Sequence, residues 1–192
     1  MKENELCNAV KGIGWAYFWI HIHINLELNL GAWDILPDWA GFYFIFAALP
    51  ILAKEVPSIK LLRPLTLALL VWSAVSWFFT GRGDPLTEAL GYFGPLASTL
   101  INVISLYFHF QLLTDMAQLA TKYDCPSEKW ILHLRTIRTI IGTLISLPIL
   151  WQNSVRMYWI YLLIAVIQVG ASLAICRAMF LLRKELWSRL QG

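Results

Sequence analysis

The sequence predicts an all-α integral membrane protein: a bundle of about six transmembrane helices with the N-terminus and the C-terminus in the cytoplasm. Three observations carry this. Of 192 residues, 58% are hydrophobic and only 14% charged, with a mean hydropathy of +0.61; a soluble domain carries about 25% charged residues. Apolar runs recur along the chain, most of them near the roughly 20 residues that a helix needs to cross the hydrocarbon core. The Lys and Arg residues between those runs alternate between dense and sparse. Six spans with short connections nearly exhaust residues 1–192, so the chain is expected to form a single transmembrane helical domain.

The first run covers about Val10–Leu28. It follows Lys2, but it holds His21, His23, Asn25 and Glu27 and ends without a small-x-small cleavage site, so it is expected to be retained rather than removed as a signal. The second, Trp39–Ala53, is the shortest and also suits a re-entrant or interfacial segment. The third is Leu61–Phe79, the fourth Tyr92–Met116 and the fifth Leu134–Trp151. The sixth, Val155–Leu182, exceeds what a bilayer needs, so its basic end with Arg177, Arg183 and Lys184 is expected to emerge into water.

Basic residues are retained on the cytoplasmic side of short loops. With the N-terminus inside, the inner segments hold Lys2, Lys11, Lys54, Lys60, Arg63, Lys122, Lys129, Arg135, Arg138, Arg177, Arg183, Lys184 and Arg189, which is 13 of the 15 Lys and Arg. Only Arg82 and Arg156 fall outside. Trp33, Trp39, Trp77, Tyr92, Trp151, Tyr158 and Trp159 cluster at the outer boundary, where amphipathic rings settle at the headgroups. The net charge of +3 thus reflects topology and contact with the lipid bilayer, and no nucleic-acid partner is expected. Cys7, Cys125 and Cys176 all fall on or near the inner side and form no Cys-x-x-Cys pair, so free thiols are expected.

Polar residues in hydrocarbon are where function concentrates, because placing them there costs free energy. In the first run, steps of four put Trp15, Trp19, His23 and Glu27 on one slowly drifting helical face. Facing the bundle interior, that stripe would wall an outward-opening pocket able to stack a flat or cationic ligand. Facing neighbouring helices, it would simply pack. In the fourth run Asn102, Ser105 and His109 share a face at spacings of three and four, suited either to interhelical hydrogen bonds or to lining a solute path, and Gln168 and Ser172 in the sixth face the same choice. Gln111, Asp115 and Gln118 form another polar row. His21 and His23 lie about 200° apart on a helix, so both cannot share a site with Glu27 while the helix continues; no metal site is expected.

Gly12-x-x-x-Ala16, Gly142-x-x-x-Ser146 and Gly170-x-x-x-Ala174-x-x-x-Ala178 are small-x-x-x-small faces, where helices or a membrane protein partner can approach closely. Their bias toward the inner half of the first and sixth runs suggests a packed cytoplasmic half and a looser outer half. Pro37 suits the first position of a helix and Asp38 the positive end of its dipole. The segment Asp34-Ile-Leu-Pro-Asp38 followed by Gly41-Phe42 resembles a stretch in small uncharacterised polytopic membrane proteins of Gram-positive bacteria. In size, span number and inside termini the chain also resembles the substrate-capture subunits of energy-coupling-factor vitamin transporters, a likeness of architecture alone. That likeness implies solute capture and docking on a membrane partner through small-residue faces.

Enzyme motifs are absent: no His-Glu-x-x-His, no Gly-x-Ser-x-Gly, no P-loop and no paired intramembrane carboxylates. No catalytic residue and no cofactor is expected. The leading expectation is a small-solute binding or uptake protein whose pocket opens outward, lined by Trp15, Trp19, His23, Glu27, Asn102 and His109. The alternative is a non-transporting regulatory, immunity or assembly protein acting through helix pairing, and a lipid-modifying enzyme ranks last.

Overall fold

The computed structural model describes residues 2–21, 25–28, 31–34, 37–81, 85–146 and 155–191. Those residues form helices α1 (Lys2–His21), α2 (Asp38–Leu52), α3 (Leu62–Gly81), α4 (Leu86–Ala89), α5 (Gly94–Lys122), α6 (Glu128–Ser146) and α7 (Val155–Gln191), with 3-10 turns at Pro57–Leu61 and Gly91–Phe93. Strands β1 (Asn25–Leu28) and β2 (Gly31–Asp34) form an antiparallel hairpin with Asn25 opposite Asp34 and Leu28 opposite Gly31.

The hairpin corrects the expected first span. Instead of running to Leu28, α1 stops at His21 and starts earlier, at Lys2. Asn25, Asn29 and Gly31 disfavour helix, Asn by competing for its own backbone and Gly by its entropy. Other helices extend past the expected runs: α6 begins at Glu128 rather than Leu134, α5 continues to Lys122 rather than Met116, and α7 continues to Gln191 rather than Leu182. Pro37 sits one position outside α2, its extended backbone (φ −68°, ψ 132°) feeding the helix that Asp38 opens.

The helices close into a ring. α1 packs on α2, α2 on α3, α3 on α5, α5 on α6, α6 on α7, and α7 returns to α1. Where α1 crosses α2, Gly41 lies over Ala16 and Ile20 so tightly that an added methyl would come within 2.8 Å of the Ala16 carbonyl. Gly14 does the same for α7, with Met179 3.3 Å from such a methyl. The small-residue faces of the sequence are used only in part. Gly12 and Gly170 face open space, whereas Gly142 abuts Leu106 of α5.

Packing differs along the ring axis. At the end holding the α5–α6 turn, Val10, Ile13, Leu52, Leu112, Met116, Leu119, Met179 and Leu186 are almost fully buried in one apolar core. At the hairpin end, Leu96, Leu100 and Val103 of α5, Val71 and Val75 of α3, and Leu163 and Val166 of α7 are exposed. Pro57–Gly81, Gly91–Lys122 and Leu162–Gln191 are each long and apolar enough to cross a membrane. α2 is equally apolar but only 15 residues long.

Polar contacts fasten the turn end. Glu55 receives Lys122 Nζ at 2.7 Å and the Tyr123 hydroxyl at 2.9 Å. Arg189 donates to the Asp124 carbonyl at 3.0 Å, and Asp124 takes a left-handed backbone (φ 51°) between α5 and α6. Burial and the Glu55 carboxylate push the Tyr123 hydroxyl up to about 12, while burial and Glu185 push the Cys125 thiol up to about 11. Cys7, Cys125 and Cys176 are all free.

Candidate functional site

Between α5, α6 and α7 lies a cavity of about 680 Å³ in the loosely packed half of the ring. On α5 it is lined from Ser98 to His109, 11 helical steps that rise about 16 Å at roughly 1.5 Å each. Thr99 and Asn102, then Ser105 and Leu106, then His109 recur on one face because residues three and four apart are helical neighbours. α6 supplies Arg138, Thr139, Gly142 and Ser146, and α7 supplies Gln168. Gly142 keeps the wall thin where Leu106 approaches, since a methyl there would meet Leu106 Cδ1 at 2.9 Å.

The cavity ends on a cluster of four polar side chains from three helices. Arg138 is only 9% exposed, His109 4% and His21 6%, and Tyr17 is fully buried. Arg138 Nη2 lies 2.6 Å from His21 Nε2. A guanidinium can only donate, so Nε2 accepts, and the His21 proton sits on Nδ1, 3.2 Å from the Tyr17 carbonyl that receives it. Tyr17 and His109 are joined through the hydroxyl and Nδ1 at 3.1 Å. The rings stack around these bonds: Tyr17 lies parallel to His21 with centroids 5.6 Å apart, and His109 tilts against both at 5.4 Å. Phe108 packs edge-on against His109 at 5.3 Å and against Phe42 of α2 at 5.9 Å.

The hydroxyls of the lining fall into two groups. Thr99, Thr139 and Ser146 donate to the carbonyls of Pro95, Arg135 and Gly142 in their own helices, satisfying themselves as such residues do inside helices. The side chains of Ser98, Asn102, Ser105 and Gln168 line the cavity and make no hydrogen bond to any described group. Asn102 is exposed and the other three are half-buried, so their polar groups are open to water or to a ligand in the cavity.

The expected site residues divide. Asn102 and His109 share the cavity. Trp15 is 43% exposed and packs edge-on against Phe180 of α7, and Trp19 lies against Phe44 of α2, so both turn to the outside of the ring and neither lines the cavity. His23 lies outside the described residues; Glu27 stands on β1, not on α1, and so does not continue the helical stripe. Tyr17, His21 and Arg138 are the residues that sequence reasoning missed as a site. Arg138 counts in the sequence as a cytoplasmic flanking charge, but it lies ten residues into α6, directed at the ring interior. Its signal is an ionisable residue between Ile137 and the Ile140-Ile141 pair, inside an apolar run. Among the described residues, no three His, Cys, Asp or Glu side chains converge as metal ligands would.

No protein-family model, curated protein or solved structure matches the chain.

Proposed function

We propose that the protein is a multi-pass protein of the cell membrane that binds, and takes up, a small polar solute through the cavity between α5, α6 and α7. The observation that carries this reading is the unpartnered set Ser98, Asn102, Ser105 and Gln168 above a buried arginine and histidine, in a volume within the range of small-molecule sites. A charged residue inside a membrane bundle is expensive and typically serves a ligand or ion path.

In this reading all six principal helices cross, with both termini in the cytoplasm. The three long apolar helices support it, as do the basic residues at the α5–α6 turn and at the end of α7. α6 is too charged to count as apolar, but Arg138 faces the cavity rather than lipid. α2 spans about 22 Å, short of a core of roughly 30 Å, and crosses if the bilayer thins around it. The cavity then opens to the outside. Reporter fusions after Leu190 and in the Lys122–Lys129 turn should read cytoplasm, and fusions near Arg82 outside. An external C-terminus would overturn the six-crossing arrangement.

Native mass spectrometry on protein released from membranes tests solute binding. A small-molecule adduct lost on His109→Ala supports it, and a bare chain under gentle release, with no ligand raising the melting temperature, argues against it. A second reading, a regulatory or assembly protein acting on another membrane protein, is favoured by one feature: an apolar groove of about 580 Å³ walled by Leu67, Val71, Trp72 and Val75 of α3 and Ile101 of α5.

A further inference from the structure

We infer that the solute is an anion, held through a carboxylate or phosphate group by Arg138 and His109 at the closed end of the cavity. The inference rests on the solute-binding reading and narrows it to a chemical class.

Four observations converge. Arg138 is the only charged residue lining the cavity among the described residues, and no Asp or Glu shares the lining. Among the described side chains, no carboxylate lies within ion-pair distance of it. A buried guanidinium normally has such a partner, because an unpaired charge in low dielectric is costly. Its neighbour His21 accepts one N–H of the guanidinium fork and brings no negative charge, since its other nitrogen donates to the Tyr17 carbonyl. The rest of the fork is free for a bidentate carboxylate or phosphate.

The lining above matches this chemistry. Asn102 and Gln168 amides and the Ser98 and Ser105 hydroxyls supply uncommitted donors, while Thr99, Thr139 and Ser146 have spent theirs on their own helices. The donors therefore stand on α5 and α7, facing the arginine on α6. A cationic solute would meet the guanidinium at the deepest point with no counter-charge. A neutral solute would leave that charge uncompensated.

The test needs no knowledge of the natural solute. Ser105→Cys places a thiol in the lining, and its reaction with an anionic reagent, sulfonatoethyl methanethiosulfonate, is compared with that of a cationic one, trimethylammonioethyl methanethiosulfonate. Both rates are normalised to 2-mercaptoethanol, and the reaction of the parent chain, with its native cysteines, is subtracted. The full chain is used, reconstituted in vesicles. The anionic reagent should be favoured at least tenfold, and Arg138→Gln should abolish that preference. Should Arg138→Gln fail to fold, Asn102→Asp keeps the buried arginine and should suppress the preference by adding a carboxylate of the same shape. An equal or cationic preference overturns the anion while leaving solute binding standing. No reaction with either reagent shows a cavity closed to water and fells both.

Protection against the anionic reagent then separates the sources of the group. Protection by added inorganic phosphate or succinate in neutral glycolipid vesicles identifies a water-borne anion. Protection that comes only with phosphatidylglycerol in the vesicle identifies a lipid headgroup. If neither protects a thiol that the anionic reagent reaches, the anion site is overturned.

Discussion

Arg138 on α6 reaches His21 on α1 at 2.6 Å, and this contact ties the two helices together across the closed end of the cavity, although they do not pack directly against one another along the ring. It follows that the pair is coupled energetically. His21→Ala removes the acceptor of a buried charged donor and should destabilise the protein by about 1–3 kcal/mol, the cost of an unsatisfied buried group. Adding Arg138→Met in the same chain should recover part of that loss. Thermal unfolding of both single variants and the double variant measures the coupling; strictly additive losses would show that the contact contributes nothing.

The crossing of α1 and α2 predicts opposite outcomes for two glycines of similar sequence appearance. At Gly41 an added methyl meets the Ala16 backbone carbonyl at 2.8 Å, and backbone cannot rotate away. Gly41→Ala should therefore cost about 1–3 kcal/mol through overpacking. At Gly12 nothing lies within 4 Å, so Gly12→Ala should be neutral or stabilise by up to about 1 kcal/mol through helix propensity. Melting temperatures in one detergent decide this, and equal shifts would contradict the crossing.

How far the sequence reveals such features depends on how local they are. Asn102, Ser105 and His109 are legible as one face because helical spacing alone puts them there. Tyr17 is not, since it lies two positions from both Trp15 and Trp19, on another face, and only the packing of α5 selects which face turns inward. Arg138 is hidden by its own charge, which a loop-counting rule assigns to the cytoplasm whatever its depth. The hairpin is hidden for a different reason: Leu26, Leu28 and Leu30 extend an apolar run, and average hydropathy does not register the change of period from helix to strand.

Asp115 on α5 binds the turn before α3, accepting from the Ser58 hydroxyl at 2.7 Å and from Gln111 Nε2 at 2.9 Å through the same oxygen. Its Oδ2 is buried without a hydrogen bond among the described residues. Asp115→Ala should cost about 1–3 kcal/mol by orphaning both donors. Ser58→Ala should cost roughly 1 kcal/mol, the net worth of one hydrogen bond. In a double-mutant cycle the two losses should be non-additive; full additivity would remove the bond from the account.

The α5–α6 turn predicts loss of stability at alkaline pH. In the folded chain the Cys125 thiol, buried beside Glu185 and Asp124 and opposed by Arg189, titrates near 11 against an ordinary 9.0. The Tyr123 hydroxyl, buried and bonded to Glu55, titrates near 12 against 10.0. Both values are raised, so the folded state holds these protons more tightly than the unfolded state. Their stabilising contribution is complete below about pH 9 and is lost as pH rises through 11 and 12. Unfolding followed from pH 8 to 12 should show this decline, and Cys125→Ala should flatten its first part, between pH 9 and 11. An unchanged profile in that variant would assign the decline elsewhere.

The position of the bound solute separates the cavity from the tryptophan stripe. Trp15 and Trp19 contact Phe180 and Phe44 on the outside of the ring, whereas Asn102 and His109 line the space between α5, α6 and α7. If the cavity holds the solute, Trp15→Ala and Trp19→Ala should lower the melting temperature through lost aromatic packing but leave affinity within about twofold. Asn102→Ala and His109→Gln should each weaken binding by about tenfold, because one hydrogen bond to a charged group is worth roughly 1.5 kcal/mol or more and 1.4 kcal/mol is a factor of ten. Calorimetry with whichever anion protects Ser105→Cys provides the affinities. A tenfold loss in Trp19→Ala with Asn102→Ala unchanged would move the site to the α1–α2 surface and leave the cavity without a role.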